Sequence, residues 1–128
     1  MSRQPLRVSN LTRGSEIAAR VRRADRAWSR LVGLLGRRSL AEDEGLLLTP
    51  CTSIHTLFMR FPIDILYLNR ERAVVKAVKD LRPFHVSACL RGAHSLLELP
   101  VGAIEASGTQ VGDRLALAST RSGSGPGQ

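Results

Sequence analysis

The sequence is poor in the features on which several protein classes depend. No apolar run approaches the roughly 18–20 residues of a membrane-spanning helix. The start, Met-Ser-Arg-Gln-Pro-Leu-Arg, lacks the hydrophobic segment of a secretory signal. Two cysteines, Cys51 and Cys89, are too few for a disulfide framework in a chain without an export signal, so we expect both to be reduced, although a bridge between them stays open. These absences predict a cytoplasmic protein.

Aromatic residues are also scarce. The chain contains one Trp, one Tyr and three Phe, and of these only Trp28 lies in the basic first part of the sequence. Proteins that hold single-stranded nucleic acid stack bases on aromatic side chains, and that platform is missing here. Any binding to nucleic acid would therefore depend on phosphate contacts and would weaken steeply as salt is raised.

Arginine is abundant, and its excess lies at the front of the chain. Residues 1–38 contain ten arginines against two acidic residues, which accounts for the whole net charge of +8, because residues 39–128 contain nine basic and nine acidic side chains. A basic patch of this kind is one hypothesis for a nucleic-acid contact and is equally typical of a solvated surface. The arginines that would make this contact are Arg20, Arg22, Arg23, Arg26, Arg30, Arg37 and Arg38.

The length of 128 residues is typical of one domain. We predict a single folded domain over residues 1–118. Residues 119–128, a Ser- and Gly-rich tail, contain no apolar side chain that could be buried, and we expect them to be disordered. The hydrophobic patterns favour an α+β fold that is mainly β, as a largely antiparallel small sheet or barrel-like domain.

One main helix is predicted over about residues 25–36. Asp25 is suited to the N-cap, and Gly36 can end the helix in the left-handed conformation. Between them an apolar stripe recurs at intervals of three and four residues, with Trp28 as its expected anchor in the core. A second, short helical stretch is predicted near residues 101–107.

Strands are predicted along most of the remaining chain. Alternating or short apolar runs indicate strands at 6–11, 16–23, 46–48, 54–59, 63–68, 73–81, 93–99 and 113–118. Residues 69–72 are predicted to form a hairpin turn, and residues 85–92 an irregular crossing. Pro62 separates two of the strands because it cannot donate to a β-ladder.

A thiol, an imidazole and a thioether recur at four-residue intervals, as Cys51, His55 and Met59. On a helix these side chains would align as ligands for a soft metal ion. On a strand, neighbours in the set lie about 13 Å apart, which is too far for one coordination sphere. Since we predict a strand here, we expect no metal site from these residues alone and no cofactor, although His85 or His94 could join one of them in the fold.

Cysteine chemistry is a further hypothesis. Cys51 is near His55, and Cys89 lies between His85 and His94, so a thiol and a base could meet. No local nucleophile signature surrounds either cysteine, and both lie among apolar residues, where free cysteine is usually inert. A Cys/His hydrolase or redox enzyme is therefore a secondary alternative.

Two carboxylates stand inside apolar strands, Asp64 and Glu98. We expect each to be partly buried, and a buried carboxylate needs a hydrogen-bond donor or a cation. Arg60, Arg91 and backbone N–H groups are the expected partners. Either carboxylate could tie loops to the sheet or take part in ligand binding, and the structural role is the favoured interpretation.

Several segments together carry a resemblance. Their order is Gly33-Leu-Leu-Gly-Arg, Gly45-Leu-Leu-Leu, Ser53-Ile-His-Thr-Leu-Phe-Met, Pro62-Ile-Asp-Ile-Leu-Tyr-Leu, Leu97-Glu-Leu, Gly102 and Val111-Gly-Asp. This order, over roughly residues 17–118, resembles the bacterial and archaeal domain of unknown function 192 family. The resemblance implies a compact, mainly antiparallel β domain with one helix, and it implies no activity. Family members often have Trp where this chain has Phe58, which weakens the case for an aromatic ligand platform.

Three functional hypotheses follow. The leading one is a non-catalytic accessory module that binds a small molecule or a protein. The alternatives are the nucleic-acid-associated protein with the basic front and the Cys/His enzyme. The predicted binding residues of the leading hypothesis are Asp64, Arg60, His55, His85, Arg91 and Glu98.

Overall fold

The computed structural model describes residues 4–24, 40–56 and 59–119, without the side chains of Ala24 and His55. Within these residues the chain forms nine strands and one short helix. The strands are β1 (Leu6–Asn10), β2 (Ser15–Ala24), β3 (Glu44–Leu48), β4 (Ser53–His55), β5 (Ile63–Leu68), β6 (Val74–Leu81), β7 (Val86–Ala88), β8 (Ser95–Pro100) and β9 (Leu115–Ser119), and the helix α1 is Ala103–Ser107.

Seven strands form one sheet in the order β6-β5-β8-β3-β2-β1-β9, and β4 and β7 form a separate two-stranded sheet. All pairs are antiparallel except β2 and β3, which run parallel. Parallel neighbours cannot be joined by a tight turn, and residues 25–43 separate β2 from β3 in the chain. A bridge between Ala73 and Arg114 brings the two ends of the large sheet toward each other. The sheet therefore curls into a half-barrel.

The two sides of the large sheet carry separate apolar clusters, because side chains alternate along each strand. On one side, Leu66, Leu68 and Leu97 pack with Ile104 of α1, and we call this the helix side. On the other, Ile65 and Tyr67 pack with Ile54 of β4, and we call this the two-strand side. Each side of β5 is thus covered by a different element, and every residue of β5 is buried.

Most predicted strands are confirmed within about two residues. The strand predicted at 63–68 is β5, and the turn predicted at 69–72 joins it to β6. The helical stretch predicted near 101–107 is α1. The mainly β class is confirmed. The main helix predicted at 25–36 lies outside the described residues, and the described part of the chain contains α1 as its one short helix.

Two predictions were wrong. The strand predicted over 54–59 ends at His55, and the Met59 N–H donates to the carbonyl of Thr56 at 3.2 Å instead of to a strand partner. The crossing predicted to be irregular over 85–92 contains β7, which forms by pairing with β4. That pairing joins segments about 30 residues apart, so local patterns do not reveal it.

The domain bounds 1–118 and the cytoplasmic location stay predictions. In the described ranges, no helix has the length and apolar character needed to cross a membrane. Strand β9 includes Ser119, the first residue of the predicted tail, and residues 120–128 lie outside the described part.

Candidate functional site

Asp64 is a structural junction on the helix side of β5. Its carboxylate is buried, with 1% exposure for the residue, and accepts the backbone N–H of Asp80 at 2.9 Å and those of Gly102 and Ile104 at 3.1 Å each. Asp80 has a left-handed φ of 56° and lies at an irregularity in the β5–β6 register. Asp64 therefore holds a bulge of β6 and the start of α1 to one strand.

The predicted partners of Asp64 were partly right. Backbone N–H groups satisfy the carboxylate, as one alternative proposed. Arg60 and Arg91 are both exposed and do not bind it. Guanidinium groups are unnecessary here because the carboxylate oxygens already accept three donors.

Glu98 lies on the opposite side of the sheet. It is fully buried in β8 and stands across from Ile65 of β5 and Leu46 of β3, so its side chain is on the two-strand side. Asp64 is opposite Leu99, one residue further along β8, and points to the helix side. The sheet therefore separates the two carboxylates, and they do not form an acid/base pair.

Tyr67 is the central polar group of the two-strand side. Its buried hydroxyl donates to the Ser87 hydroxyl at 2.9 Å, which ties β5 to β7. Burial raises the pKa of the Tyr67 phenol, the Ser87 hydrogen bond lowers it, and the charges of Cys51, Cys89 and Glu98 raise it. Tyr67 was not among the predicted site residues, since a single tyrosine in an apolar strand is usually read as core.

The two cysteines lie beside this tyrosine as half-buried free thiols packed against the same apolar cluster. The Cys51 thiol donates to the Ser53 carbonyl at 3.1 Å, and the Cys89 thiol donates to the Arg91 carbonyl at 3.4 Å. Neither thiol bonds to a described imidazole. His85 Nδ1 instead lies 3.1 Å and 2.9 Å from the carbonyls of Arg82 and Pro83. The Cys/His dyad of the enzyme hypothesis is therefore not assembled among the described side chains.

Thr56 secures the connection between β6 and β7. The hydroxyl of this fully buried residue donates to the Arg82 carbonyl at 2.6 Å and accepts the His85 N–H at 3.0 Å. Its backbone carbonyl accepts the Phe84 N–H at 3.0 Å. Phe84 is held at a φ of 68°, a left-handed conformation that is costly for a bulky residue. The hydrogen bonds of Thr56 thus hold Phe84 in a strained backbone conformation with its aromatic side chain exposed to solvent.

Three apolar side chains on and beside β7 face solvent. Phe84 is 74% exposed, Val86 72% and Leu90 82%. They are even-numbered, whereas Ser87 and Cys89 contact the sheet below. We call Phe84, Val86 and Leu90 the β7 stripe.

Basic groups adjoin the β7 stripe, and one of them, Arg82, pairs with the exposed Asp80 carboxylate at 3.3 Å. Residues 81–97, which include β7, and residues 45–63, which include β4, contain no Asp or Glu. Among the predicted binding residues, His85 and Arg91 adjoin the stripe and are exposed, and exposed Arg60 lies four residues after Thr56. Asp64 and Glu98 lie inside the fold instead, and the side chain of His55 lies outside the described part.

Two cavities of moderate size are present elsewhere on the molecule. One of about 420 Å³ is lined by Asn69, Arg70, Glu71, Gly92, Ala93 and His94, and another of about 380 Å³ lies beside α1 and Pro100. None of the six predicted binding residues lines either cavity. Within the described residues, no group of three or more His, Cys, Asp or Glu side chains could hold a metal ion.

A second saturated carboxylate lies near the end of α1. Asp113 Oδ2 accepts Asn10 Nδ2, Arg13 Nε and the Gln110 N–H, each at 2.9 Å, and the Arg13 guanidinium is also 3.2 Å from Oδ1. The Arg13 bond, followed by the Asn10 bond, lowers the pKa of Asp113 to about 2. This network joins the β1–β2 turn to the segment before β9.

The basic front is partly neutralised by internal pairs. Arg20 forms two 2.8 Å bonds with Asp43, Arg13 pairs with Asp113 and Arg7 with Glu16. Arg22 and Arg23 are exposed on β2. Four of the arginines predicted to contact nucleic acid lie outside the described residues, namely Arg26, Arg30, Arg37 and Arg38.

Comparison with solved structures supports the fold. A candidate transcription regulator from Sinorhizobium meliloti superimposes with a TM-score of 0.77, at 22% identity, over 91% of this chain and 94% of its own. A protein of unknown function from Novosphingobium aromaticivorans superimposes with a TM-score of 0.73, at 19% identity, over 88% and 83%. At these identities the likeness concerns the fold alone.

Comparison of sequences shows the family. A UPF0127 protein of Pyrococcus furiosus is 38% identical over 109 residues, which cover 83% of this chain and 93% of that protein. A UPF0127 protein of Thermococcus sibiricus is 32% identical over 110 residues, covering 83% and 71%. The model of the domain of unknown function 192 family, described as an uncharacterized ACR, matches residues 8–117. The chain therefore belongs to the domain of unknown function 192 family.

Proposed function

We propose that this protein is a non-catalytic module that binds an acidic protein partner through the β7 stripe. The observation that carries the proposal is the exposure of three apolar side chains within seven residues, with Val86 on β7 and Phe84 and Leu90 beside it. Single exposed apolar residues are common on protein surfaces, whereas grouped ones are typical of interaction sites.

The backbone at Phe84 supports a binding role. Its left-handed φ of 68° is maintained by bonds to buried Thr56, and the result is an aromatic side chain that is 74% exposed. Fold stability alone gives no reason to hold a bulky residue in a costly conformation and then expose it. Aromatic side chains presented on rigid elements are frequent anchors of protein interfaces.

The charges around the stripe indicate the chemistry of the partner. Residues 81–97 and 45–63 contain no acidic side chain, and the exposed His85 and Arg91 lie beside the stripe. Arg82 adds a guanidinium group that pairs with Asp80 at 3.3 Å, so Arg91, which forms no ion pair with another described side chain, is the main basic group that we propose for contact with a partner. A partner with apolar side chains beside Asp or Glu would match both features. A nucleic acid fits less well, since Phe84 is the one aromatic side chain of the stripe and Val86 and Leu90 offer no stacking surface for bases.

The docking mode is expected to use side chains rather than strand addition. Lys76 Nζ donates to the Ala88 carbonyl at 2.7 Å and so occupies an acceptor at the edge of β7. A lysine at a strand edge opposes pairing with another chain. The partner would therefore insert apolar groups among Phe84, Val86 and Leu90.

A peptide-selection experiment tests this proposal. Random peptides displayed on phage are selected on the immobilised protein, and enriched sequences are expected to combine apolar residues with Asp or Glu. Leu90→Ser should weaken binding of a selected synthetic peptide about tenfold or more, because burial of a leucine side chain contributes about 1.5–3 kcal/mol. Binding should also weaken as salt is raised.

The matched control is Val111→Ser, since Val111 is also exposed, at 62%, but lies outside the β7 stripe. That variant should bind the peptide as the wild type does. If no peptide is enriched, or if Leu90→Ser and Val111→Ser bind equally, the β7 stripe is not the docking surface.

Nucleic-acid binding is the second candidate function, supported by the exposed Arg22 and Arg23 and by the structural neighbour described as a candidate transcription regulator. The pairs of Arg7, Arg13 and Arg20 with carboxylates reduce the charge that is available for phosphate. Affinity for a generic oligonucleotide at low salt that falls steeply with added salt would support it, and no affinity at low salt would exclude it.

A further inference from the structure

The fold brings the two cysteines to one end of the two-stranded sheet. The Cys89 N–H donates to the Thr52 carbonyl at 2.9 Å, and the β4–β7 register continues from there through Ser53 opposite Ala88. Thr52 therefore lies opposite Cys89, and Cys51 is the residue before Thr52. Opposite Cα atoms of an antiparallel pair are about 5.5 Å apart, which puts the Cα atoms of these diagonal neighbours at about 6–7 Å. Disulfides bridge Cα separations of about 4.4–6.8 Å.

Both side chains lie on the same side of the two-stranded sheet. Cys51 precedes β4, so strand alternation does not direct it away from Cys89. Both residues pack against the apolar cluster of the two-strand side. Both also raise the pKa of the Tyr67 phenol through their charge, as expected for two thiols on the side of the sheet that carries this phenol.

Neither thiol is locked into an extensive network. The described contact of each is a weak bond to a carbonyl two residues further along the chain, from Cys51 to Ser53 and from Cys89 to Arg91. Thiols are weak donors, so rotation of either side chain costs little. Both residues are half-buried and keep some access to solvent.

We propose that Cys51 and Cys89 are a redox pair that closes to an intramolecular disulfide by exchange with a low-molecular-weight disulfide such as oxidised glutathione. The thiolate of one cysteine attacks a sulfur of the oxidant, forms a mixed disulfide and releases one glutathione thiol. The thiolate of the second cysteine then attacks the protein sulfur of that mixed disulfide and releases the second glutathione thiol. The two cysteines lose two protons and two electrons, and the oxidised glutathione is reduced to two thiols.

The test is equilibration of the folded protein with mixtures of reduced and oxidised glutathione, followed by acid quenching, mass spectrometry and peptide mapping. An intramolecular disulfide lowers the mass by two hydrogens and links the Cys51 and Cys89 peptides. The fraction of protein with this disulfide should depend on the squared concentration of reduced glutathione divided by the concentration of oxidised glutathione. Mixed disulfides would instead add the mass of glutathione, and their fraction would depend on the concentration of reduced glutathione divided by that of oxidised glutathione.

The variants Cys51→Ser and Cys89→Ser provide the matched controls. Each should accumulate a mixed disulfide with glutathione at the remaining thiol, because the second step of the exchange is lost. The proposal is overturned if the wild type retains one or two glutathione adducts, forms only intermolecular dimers, or stays fully reduced in excess oxidised glutathione. A thermal melt of the reduced variants confirms that they are folded.

Discussion

On one side of β5 the Asp64 carboxylate accepts three backbone N–H groups, and on the other side, three residues further along, the Tyr67 hydroxyl donates to the single side chain of Ser87. Asp64 is 1% exposed and Tyr67 is fully buried. The bonds of Asp64 join β5, β6 and α1 into one unit. The bond of Tyr67 joins the large sheet to the two-stranded sheet.

The two sides of the large sheet differ in how their polar groups are bonded. Polar groups on the helix side are held by the backbone, as Asp64 is, or by a full set of partners, as Asp113 is. The two-strand side contains Tyr67 and two thiols with few bonds, and carries the β7 stripe on its outer surface. We therefore look for function on the two-strand side and for fold stability on the helix side.

Replacement of Asp64 is expected to have the largest effect. Asp64→Ala removes the acceptor of three backbone N–H groups, and each unsatisfied buried donor costs about 1–3 kcal/mol, so we expect the free energy of unfolding to fall by at least about 2 kcal/mol. Urea denaturation with linear extrapolation measures it. Asp64→Asn retains one acceptor oxygen and should lose less.

A free energy of unfolding for Asp64→Ala within about 0.5 kcal/mol of the wild-type value would contradict the structural role of Asp64, because that is the usual range for surface substitutions. Unchanged stability combined with loss of peptide binding would move Asp64 from the structural group to the binding site.

The second prediction concerns Asp113 at acid pH. Because its folded pKa, about 2, is below the ordinary value of about 3.9, its ionised form stabilises the fold above about pH 4, and this contribution is lost as the pH falls toward 2. Asp113→Asn should therefore reduce stability at neutral pH and flatten the loss of stability between about pH 4 and 2. Thermal melts across this range measure both effects, and equal acid slopes for the two proteins would contradict the assignment.

The third and smallest prediction concerns Tyr67. Tyr67→Phe should cost about 1 kcal/mol, the net contribution of one hydrogen bond. Since Tyr67 is the only tyrosine, phenolate absorbance reports its titration directly, and the midpoint should lie above the ordinary pKa of about 10. A raised pKa means that stability is full below about pH 10 and is lost as the pH rises through the folded value.

Variants of the neighbouring residues sharpen this measurement. Ser87→Ala should raise the pKa of Tyr67 further, because the Ser87 hydroxyl lowers it, whereas Cys51→Ser should lower it. A wild-type midpoint at or below about 10, while circular dichroism shows a folded protein, would contradict the burial of this hydroxyl among the thiols.

Sequence patterns predicted the strands whose bounds and character follow from the preferences of residues within a few positions of one another. The run Ile63-Asp-Ile-Leu-Tyr-Leu is bounded by Pro62 and by a turn, so its length and strand character follow from residue preferences. The burial of Asp64 and Glu98 could also be predicted, because each stands between apolar residues of a strand. The predicted binding residues do not lie at one place in the fold: His85 and Arg91 adjoin the β7 stripe, whereas Asp64 and Glu98 are buried. Their role in binding stays a prediction.

Alternation and turn residues were thus sufficient to specify a mainly β domain and its buried carboxylates, because these depend on neighbours within a few positions. Three features depended on contacts between distant segments: the pairing of β4 with β7, the three donors of Asp64 and the packing of Cys51 and Cys89 against the apolar cluster that contains Tyr67. Strand pairing is stabilised by side chains that meet only after the chain has folded. For this reason only the register of β4 and β7, which local patterns do not reveal, brings Cys51 and Cys89 to the same end of the two-stranded sheet.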